Sequence, residues 1–305
     1  MQSDRLIPTT TQLNPTYSYI TVLSTDHYVE GVVVLAKSLH RVGSHYPFWV
    51  LTTPNLEPKT LEQLDRHGIQ RLEVSPIVVE TDVPEHQRRW QWTYVKLHIF
   101  NQTQFAKLVY LDADMLVYEN LDELFNKPHM AAVNAGGMLA EYQHWREFNS
   151  GLMVVEPNAA LYADMLVQLP KLYKPNGGDQ DFLNAYYPDW PQQPEKHLDH
   201  GYNLFHIHLD RYAQRHGYQL RGQHNPVKVI HYVGEHKPWL IKAAIAAQQQ
   251  WTLKNQVTAL KESARWVLRS LRKQLPHRYQ NRIPAAIGHR LKTRSLIHWL
   301  EIDQG

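Results

Sequence analysis

AKLVYLDADMLVYENLDELF, residues 106–125, is the stretch that decides how this 305-residue chain is read. Leu108, Val109, Tyr110 and Leu111 predict a buried strand, and Asp112 and Asp114 follow at the point where that strand ends. Residues i and i+2 of an extended chain point the same way, so both carboxylates are expected to face one cation beyond the carboxyl edge of a sheet. Oxygen donors suit Mg²⁺ or Mn²⁺, ions that bridge diphosphate oxygens. An isolated Asp-x-Asp also reads as a helix cap or a surface turn. Here β-type apolar residues flank the pair, LVYL before it and MLVY after it, and unpartnered carboxylates between them would be costly.

Working outward, 43% apolar and 11% aromatic residues suffice for a large core, and the length suits one α/β domain with a tail. The chain has no cysteine, which excludes disulfides, thiolate zinc sites and cysteine nucleophiles. The opening MQSDRLIPTTTQLNPT has neither a basic n-region nor an apolar h-region, and no apolar run approaches membrane-spanning length. The expectation is therefore a soluble, cytoplasmic chain. Net charge is uneven. Residues 1–240 carry 20 Lys+Arg against 26 Asp+Glu (−6), whereas residues 241–305 carry 12 against 3 (+9). In that tail Leu253, Val257, Leu260, Ala264, Val267, Leu268, Leu271 and Leu275 recur at helical spacing, so a basic amphipathic helix is expected. Pro276 and Pro284 separate it from a second piece, residues 285–300. Such a helix packs on the chain's own body or docks on an acidic membrane surface or partner. Nucleic acid is not expected, because no recognised binding module accompanies the charge.

Upstream of the Asp-x-Asp strand the chain alternates. Strands are expected at 17–23 and 47–51 and in the β-branched run 74–79. Helices are expected at 29–39, at 61–68 and through Tyr94, Leu97 and Phe100. This pattern predicts parallel βαβ units. Downstream lie three polar clusters. Asn149, Ser150 and Gly151 lead into an apolar strand, 152–155, and read either as hydroxyl donors or as a turn. Gly177 and Gly178 open a helix with Asp179 and Gln180 at its N-terminus, reading either as a ligand approach or as a capped turn. A short strand ends in His231, before a Gly234 turn that presents Lys237. Imidazole nitrogen is a Mn²⁺ ligand, and ammonium and amide groups suit phosphate oxygens. With 19 histidines in the chain, however, His231 alone reads equally as structural.

Together these blocks resemble the family-8 glycosyltransferases of the glycogenin and galactinol-synthase kind. The resemblance runs from about Tyr19 to Trp239 and rests on ITVLSTDHYVEG, YVKLHIF leading into LVYLDADMLV, FNSGLMVVEP, GGDQDFLN and HYVGEHKPW, in that order. It implies a GT-A type α/β fold, a Rossmann-like mixed sheet flanked by helices, with the basic helical tail appended. The implied division is an N-terminal extension at 1–16, a nucleotide-sugar domain at 17–240 and the tail at 241–305. The implied activity is retaining transfer of a hexose, glucose or galactose, from a UDP-sugar with Mn²⁺ or, alternatively, Mg²⁺. By the same resemblance Val22, Ser24, Thr25 and Tyr28 hold the uridine, and Lys96 contacts the donor sugar and its phosphate. Asp112, Asp114 and His231 bind the metal, with Ala113 between the carboxylates in the donor site. Asn149, Ser150, Gly151, Asp179 and Gln180 surround the transferred sugar, Lys96, Asp179 and Gln180 supporting the reaction, while Gly234 and Lys237 grip the diphosphate.

The chain departs from the glycogenin pattern at four places. Asp210 stands where glycogenin's self-glucosylated tyrosine would fall, with Tyr212 nearby. Asn134 replaces an aspartate that faces the sugar, Asn176 replaces an acidic residue, and the segment 136–147 is longer than the pattern expects. The acceptor is left open among free sugars, inositol, lipid-linked or cell-surface glycans and protein side chains. Two rival classes are a UDP-sugar- and metal-binding protein without turnover and a haloacid-dehalogenase-type phosphatase in which Asp112 attacks phosphate.

Overall fold

The structure is a computed structural model and describes residues 16–79, 91–174, 177–220, 226–235 and 237–240, with Ser295, His298, Trp299 and Ile302. The amphipathic stretch 253–275, Asn176 and His236 lie outside the described residues. Among those residues the chain runs β1 (Tyr17–Leu23), α1 (Val29–Arg41), β2 (Phe48–Thr52), α2 (Pro58–Arg66), β3 (Gln70–Glu73), a 3₁₀ helix (Gln91–Asn101), β4 (Lys107–Leu111) and β5 (Met115–Val117). It continues with β6 (Ala132–Asn134), β7 (Phe148–Val155), α3 (Ala159–Leu172), α4 (Asp179–Tyr186), β8 (His197–Leu198), β9 (Leu204–Phe205), α5 (Leu209–His216) and β10 (Val229–His231).

Seven strands form the main sheet, in the order β3-β2-β1-β4-β7-β6-β8, and β5-β10-β9 form a second, smaller one. The first half of the main sheet is parallel, as the alternation predicts, with Tyr19 opposite Phe48 and Val109. Beyond β4 it becomes mixed, because β7 runs antiparallel to both β4 and β6. Both faces are covered, and side chains sort by strand alternation. Ile20, Leu108, Tyr110, Met153 and Val155 pack beneath the 3₁₀ helix, α3 and α4. Tyr19, Val109, Leu111, Leu152 and Val154 meet Leu35 and Leu39 of α1 on the opposite face. α1 is apolar nearly all round because it also contributes Val32 and Val33 to the cluster under α2, and Val34 to the small-sheet core.

Three sequence expectations are corrected. The run 74–79 is not a strand. Pairing with β2 is made by β3, and Pro76, which has no backbone donor, falls where the ladder would continue. The segment through Tyr94, Leu97 and Phe100 is a 3₁₀ helix rather than an α-helix. The Asp-x-Asp pair does not lie on extended chain. A turn closed by Met115 N–H donating to the Asp112 carbonyl (3.1 Å) carries the chain from β4 in one sheet to β5 in the other. The carboxylates converge because that turn is tight, not because a strand alternates.

Candidate active site

Two antiparallel pairings assemble the site. β7 enters beside the end of β4, Asp112 N–H donating to the Gly151 carbonyl (2.8 Å), and so brings Asn149, Ser150 and Gly151 past the carboxyl edge of β4. β10 pairs with β5, placing His231 opposite Met115, and Tyr232 N–H donates to the Asp114 carbonyl (2.9 Å). His231 Nε2 therefore lies 3.1 Å from Asp114 Oδ1 and 3.7 Å from Asp112 Oδ2. Ligand atoms of Asp112, Asp114 and His231 fall within 4.8 Å of one another, the one such metal-capable cluster among the described residues. Two carboxylate oxygens and an imidazole nitrogen fit a divalent cation that accepts both donor types, as Mn²⁺ does.

The 3₁₀ helix explains how Lys96 reaches this cluster. With three residues per turn, Thr93 and Lys96 stand in line. Thr93 Oγ1 accepts from Asp179 N–H (2.9 Å), while Lys96 Nζ lies 2.6 Å from Asp179 Oδ2 and 3.1 Å from Asp112 Oδ1. Ser150 Oγ donates to Asp179 Oδ2 (2.7 Å), and Gln180 Oε1 accepts from Ser150 N–H (3.2 Å) and Asn149 Nδ2 (3.0 Å). Lys237 Nζ donates to Asp114 Oδ2 and to the Tyr232 carbonyl (2.7 Å), and it sits 5.3 Å above the Tyr28 ring. The preceding turn needs φ = +89° at Gly234, which only glycine takes without strain.

Buried charges here compensate one another. Burial pushes the Asp114 carboxyl up, but His231 and Lys237 together outweigh it and hold the group well below the usual carboxylate range. Burial opposes charge on Lys96, yet Asp112 and Asp179 raise its pKa above the ordinary lysine value. Asp112, beside two other carboxylates, has its pKa raised chiefly by burial.

The structure brings most of the sequence-predicted residues together. Asp112, Asp114, His231, Lys96, Asn149, Ser150, Gly151, Asp179, Gln180 and Lys237 form one connected network. Tyr28 joins it through Lys237 and packs edge-on to Trp239 (5.4 Å). Val22, Ser24 and Thr25 are half-buried at the end of β1; the Ser24 carbonyl accepts from Asn55 Nδ2 (2.9 Å). Ala113 is buried with Leu23 and Val29. Gly234 is exposed. Two of the departures also resolve. Tyr212 is buried, its Oη accepting from Met138 N–H (2.7 Å), and Asp210 is buried as well. Asn134 is engaged with the backbone of the 136–147 segment.

Sequence reasoning missed Asn203. Its Nδ2 donates to Asn149 Oδ1 (2.6 Å) and its Oδ1 meets His231 Nδ1 at 2.9 Å. Gly151 N–H donates to the same Asn149 Oδ1 (2.9 Å), fixing that amide. Asn203 must then present its oxygen to His231, so Nδ1 carries a proton and Nε2 is the nitrogen left to bind a cation held with the carboxylates or to donate to Asp114. The imidazole also packs against Gly151, where a Cβ would sit 2.7 Å from His231 Cε1. The only sequence signal for Asn203 was an amide inside the apolar run Tyr202-Asn203-Leu204.

The chain matches Glycosyl transferase family 8 over residues 19–243. It is 32% identical over 238 residues to inositol phosphorylceramide glucuronosyltransferase 1 of Arabidopsis thaliana, covering 73% of this chain and 42% of that protein. It is 30% identical over 229 residues to glycogenin-1 of Homo sapiens, covering 73% of this chain and 62% of that protein. The chain thus spans about half the length of the curated relatives it matches. Its fold is that of a crystallised active-site mutant of the enzyme LgtC, with a TM-score of 0.51, 18% identity and coverage of 73% of this chain and 89% of that one. The glycosyltransferase GlyE of Streptococcus pneumoniae superposes with a TM-score of 0.50 at 17% identity, covering 84% and 65%. With nearly three-quarters of its length matched and the family's GT-A type architecture in place, the chain belongs to glycosyl transferase family 8.

Proposed function

We propose that this chain moves a hexosyl unit from a UDP-sugar to an acceptor hydroxyl with retention of anomeric configuration. Asp112, Asp114 and His231 would hold a divalent cation, Mn²⁺ by preference. The observation that carries this reading is the convergence of those three groups with Lys237 at one buried point beyond β4, in a family-8 chain. When the anomeric C–O bond breaks, the sugar ring becomes cation-like and negative charge grows on the diphosphate. A bound divalent cation would supply Lewis-acid stabilisation of that charge. The Lys237 ammonium and the Gly234 turn would add positioned donors, and Lys96, held between Asp112 and Asp179, would contact the sugar and its phosphate. Asp179 and Gln180, tied to Ser150 and Asn149, would frame the reacting carbon. The expectation of a cytoplasmic enzyme, with a basic tail that meets its own body or an acidic surface, belongs to this proposal.

A second donor is favoured by the relatives' names. Two Arabidopsis thaliana proteins at 30–32% identity are an inositol phosphorylceramide glucuronosyltransferase and a putative UDP-glucuronate:xylan alpha-glucuronosyltransferase, so UDP-glucuronate stands beside UDP-glucose and UDP-galactose. The test is UDP release from these three donors with Mn²⁺, Mg²⁺ or EDTA, wild type beside Asp114→Asn. Metal-dependent release should appear with one donor. It should fall about 100-fold or more in the variant, the scale of losing one preorganised electrostatic stabiliser. Metal-dependent UDP binding without release, even with acceptors added, would favour a binding protein. Absence of both would sink the reading.

A further inference from the structure

Asp112 continues the β4–β7 ladder by one residue, its N–H donating to the Gly151 carbonyl, so it faces the same side of the sheet as Tyr110, two residues earlier. Tyr110 is buried beneath the 3₁₀ helix, and its Oη donates to Asp112 Oδ1 (2.6 Å). Lys96 approaches from that helix. Its Nζ lies 3.1 Å from the same Oδ1 and 4.9 Å from the centre of the Tyr110 ring. One tyrosine side chain thus touches both members of the Lys96–Asp112 pair, the carboxylate with its hydroxyl and the ammonium with its π face.

A carboxylate offers about four lone-pair sites, two on each oxygen. Tyr110 and Lys96 fill both of those on Oδ1, through bonds strengthened by the charges they join. Oδ2 is left on the side of His231, 3.7 Å from Nε2, and Asp114 Oδ1 lies 3.1 Å from the same nitrogen. A cation with octahedral bonds of about 2.1 Å keeps neighbouring ligand atoms about 3.0 Å apart. Asp112 Oδ2, Asp114 Oδ1 and His231 Nε2 are spaced nearly as such an ion requires, with one oxygen from each aspartate.

Ca²⁺ asks for a different arrangement. It takes about six to eight oxygens at longer range, and its carboxylates are commonly bidentate. To bind Asp112 through both oxygens it would have to displace the Tyr110 hydroxyl and Lys96 from Oδ1. Lys96 is shared with Asp179 (2.6 Å) and, in the transfer reading, with the donor sugar and its phosphate. The Tyr110 hydroxyl has its place in the core beneath the pair, so it is the cap that stays on Oδ1 throughout.

We propose that Tyr110 is a specificity-determining residue of the metal site: by capping Oδ1 it restricts Asp112 to one oxygen and selects a small octahedral divalent cation over Ca²⁺. It is a positioning residue that acts through Asp112. The proposal rests on the divalent-cation reading above. His231 already disfavours Ca²⁺ by offering nitrogen, and Tyr110 adds a limit on the number of oxygens.

Calorimetric titration of the full chain with Mn²⁺ and with Ca²⁺, in the absence of nucleotide so that no metal is held by UDP in solution, tests this. The wild type should bind Mn²⁺ at least about 10-fold more tightly than Ca²⁺. Tyr110→Phe keeps the ring under Lys96 and removes only the hydroxyl. Its Mn²⁺-to-Ca²⁺ affinity ratio should fall about 10-fold, the lower end of the cost of losing a partner behind a metal ligand. Tyr19→Phe is the control, because it removes another buried hydroxyl that donates to a carboxylate, Asp122 Oδ1 (2.8 Å), on the opposite face of the sheet. Its ratio should equal that of the wild type. A tyrosine that only supported the fold would weaken both ions alike. An unchanged ratio in Tyr110→Phe, or an equal fall in Tyr19→Phe, therefore overturns the proposal. A wild type that binds Ca²⁺ as tightly as Mn²⁺ overturns it without either variant and leaves the divalent-cation reading standing. Binding of neither ion by the wild type defeats that reading as well.

Discussion

At the scale of single residues, the orientation of His231 is fixed by a chain of amides that starts from one backbone N–H. Gly151 sets Asn149, Asn149 sets Asn203, and Asn203 sets the imidazole. Truncating Asn203 leaves the ring in place but removes what selects its tautomer. Asn203→Ala should therefore weaken Mn²⁺ binding by about 10–100-fold, the usual cost of losing a partner behind a metal-ligating histidine. Calorimetric titration with Mn²⁺ checks this, and an unchanged affinity would mean that Asn203 does not orient the ligand. The carboxylates of this site could be read in the sequence because an Asp-x-Asp between apolar runs is conspicuous. Asn203 could not, since an amide beside a buried tyrosine gains its meaning only when β9 and β10 lie side by side.

At the scale of elements, connections between them carry titratable groups whose state is fixed by the backbone. His129, just before β6, accepts at Nδ1 from Glu156 N–H at the end of β7 (3.0 Å) and meets the Tyr187 hydroxyl after α4 at Nε2 (3.1 Å). Burial chiefly, opposed by the Glu156 carboxylate and aided by Lys196 and Lys107, pushes its pKa down to about 4. A depressed histidine contributes stability that is complete above the unfolded value of about 6.5 and is lost as pH falls from there towards 4. Urea unfolding should show the wild type losing about 2 kcal/mol more than His129→Gln between pH 7 and pH 4.5. Parallel losses would show that His129 is not the group responsible. The same scale explains the element-level errors of the sequence reading. Apolar periodicity locates the segment 91–101 as buried helix but does not distinguish 3.0 from 3.6 residues per turn when nearly every side is covered.

At the scale of the whole molecule, the far end of the chain returns to the body behind the site. Ser295, His298, Trp299 and Ile302 are helical and spaced i, i+3, i+4, i+7, as on one helix face. Trp299 and Ile302 are buried with Tyr232 and Trp239, and the Ser295 carbonyl accepts from Tyr232 Oη (2.9 Å). Trp299 packs on Trp239 (5.9 Å), which packs on Tyr28 (5.4 Å). Trp299→Ala should lower the unfolding free energy by about 3–5 kcal/mol, as for other buried large-to-small changes. It should also weaken UDP binding through Tyr28. A variant with wild-type stability would show that the end of the chain is not part of the folded core.

The sequence by itself determined β1, β2, α1, β4 and the parallel alternation that joins them, though not β3, which lies just before the run 74–79, because strand and helix periods are local properties written in neighbouring residues. It also determined the residue types of the site, since Asp, His, Lys and glycine at these places have few other joint uses. Only the tertiary structure decided the antiparallel entry of β7, the transfer of the chain to a second sheet at the Asp-x-Asp turn, and the pairing of β10 with β5. Strand partners and amide orientations depend on contacts between residues far apart in the chain, such as Asn149 with Asn203 and Asp114 with His231. Local pattern carries no record of those contacts, because they exist only once both faces of the sheet have been covered and the buried polar groups must find partners within reach.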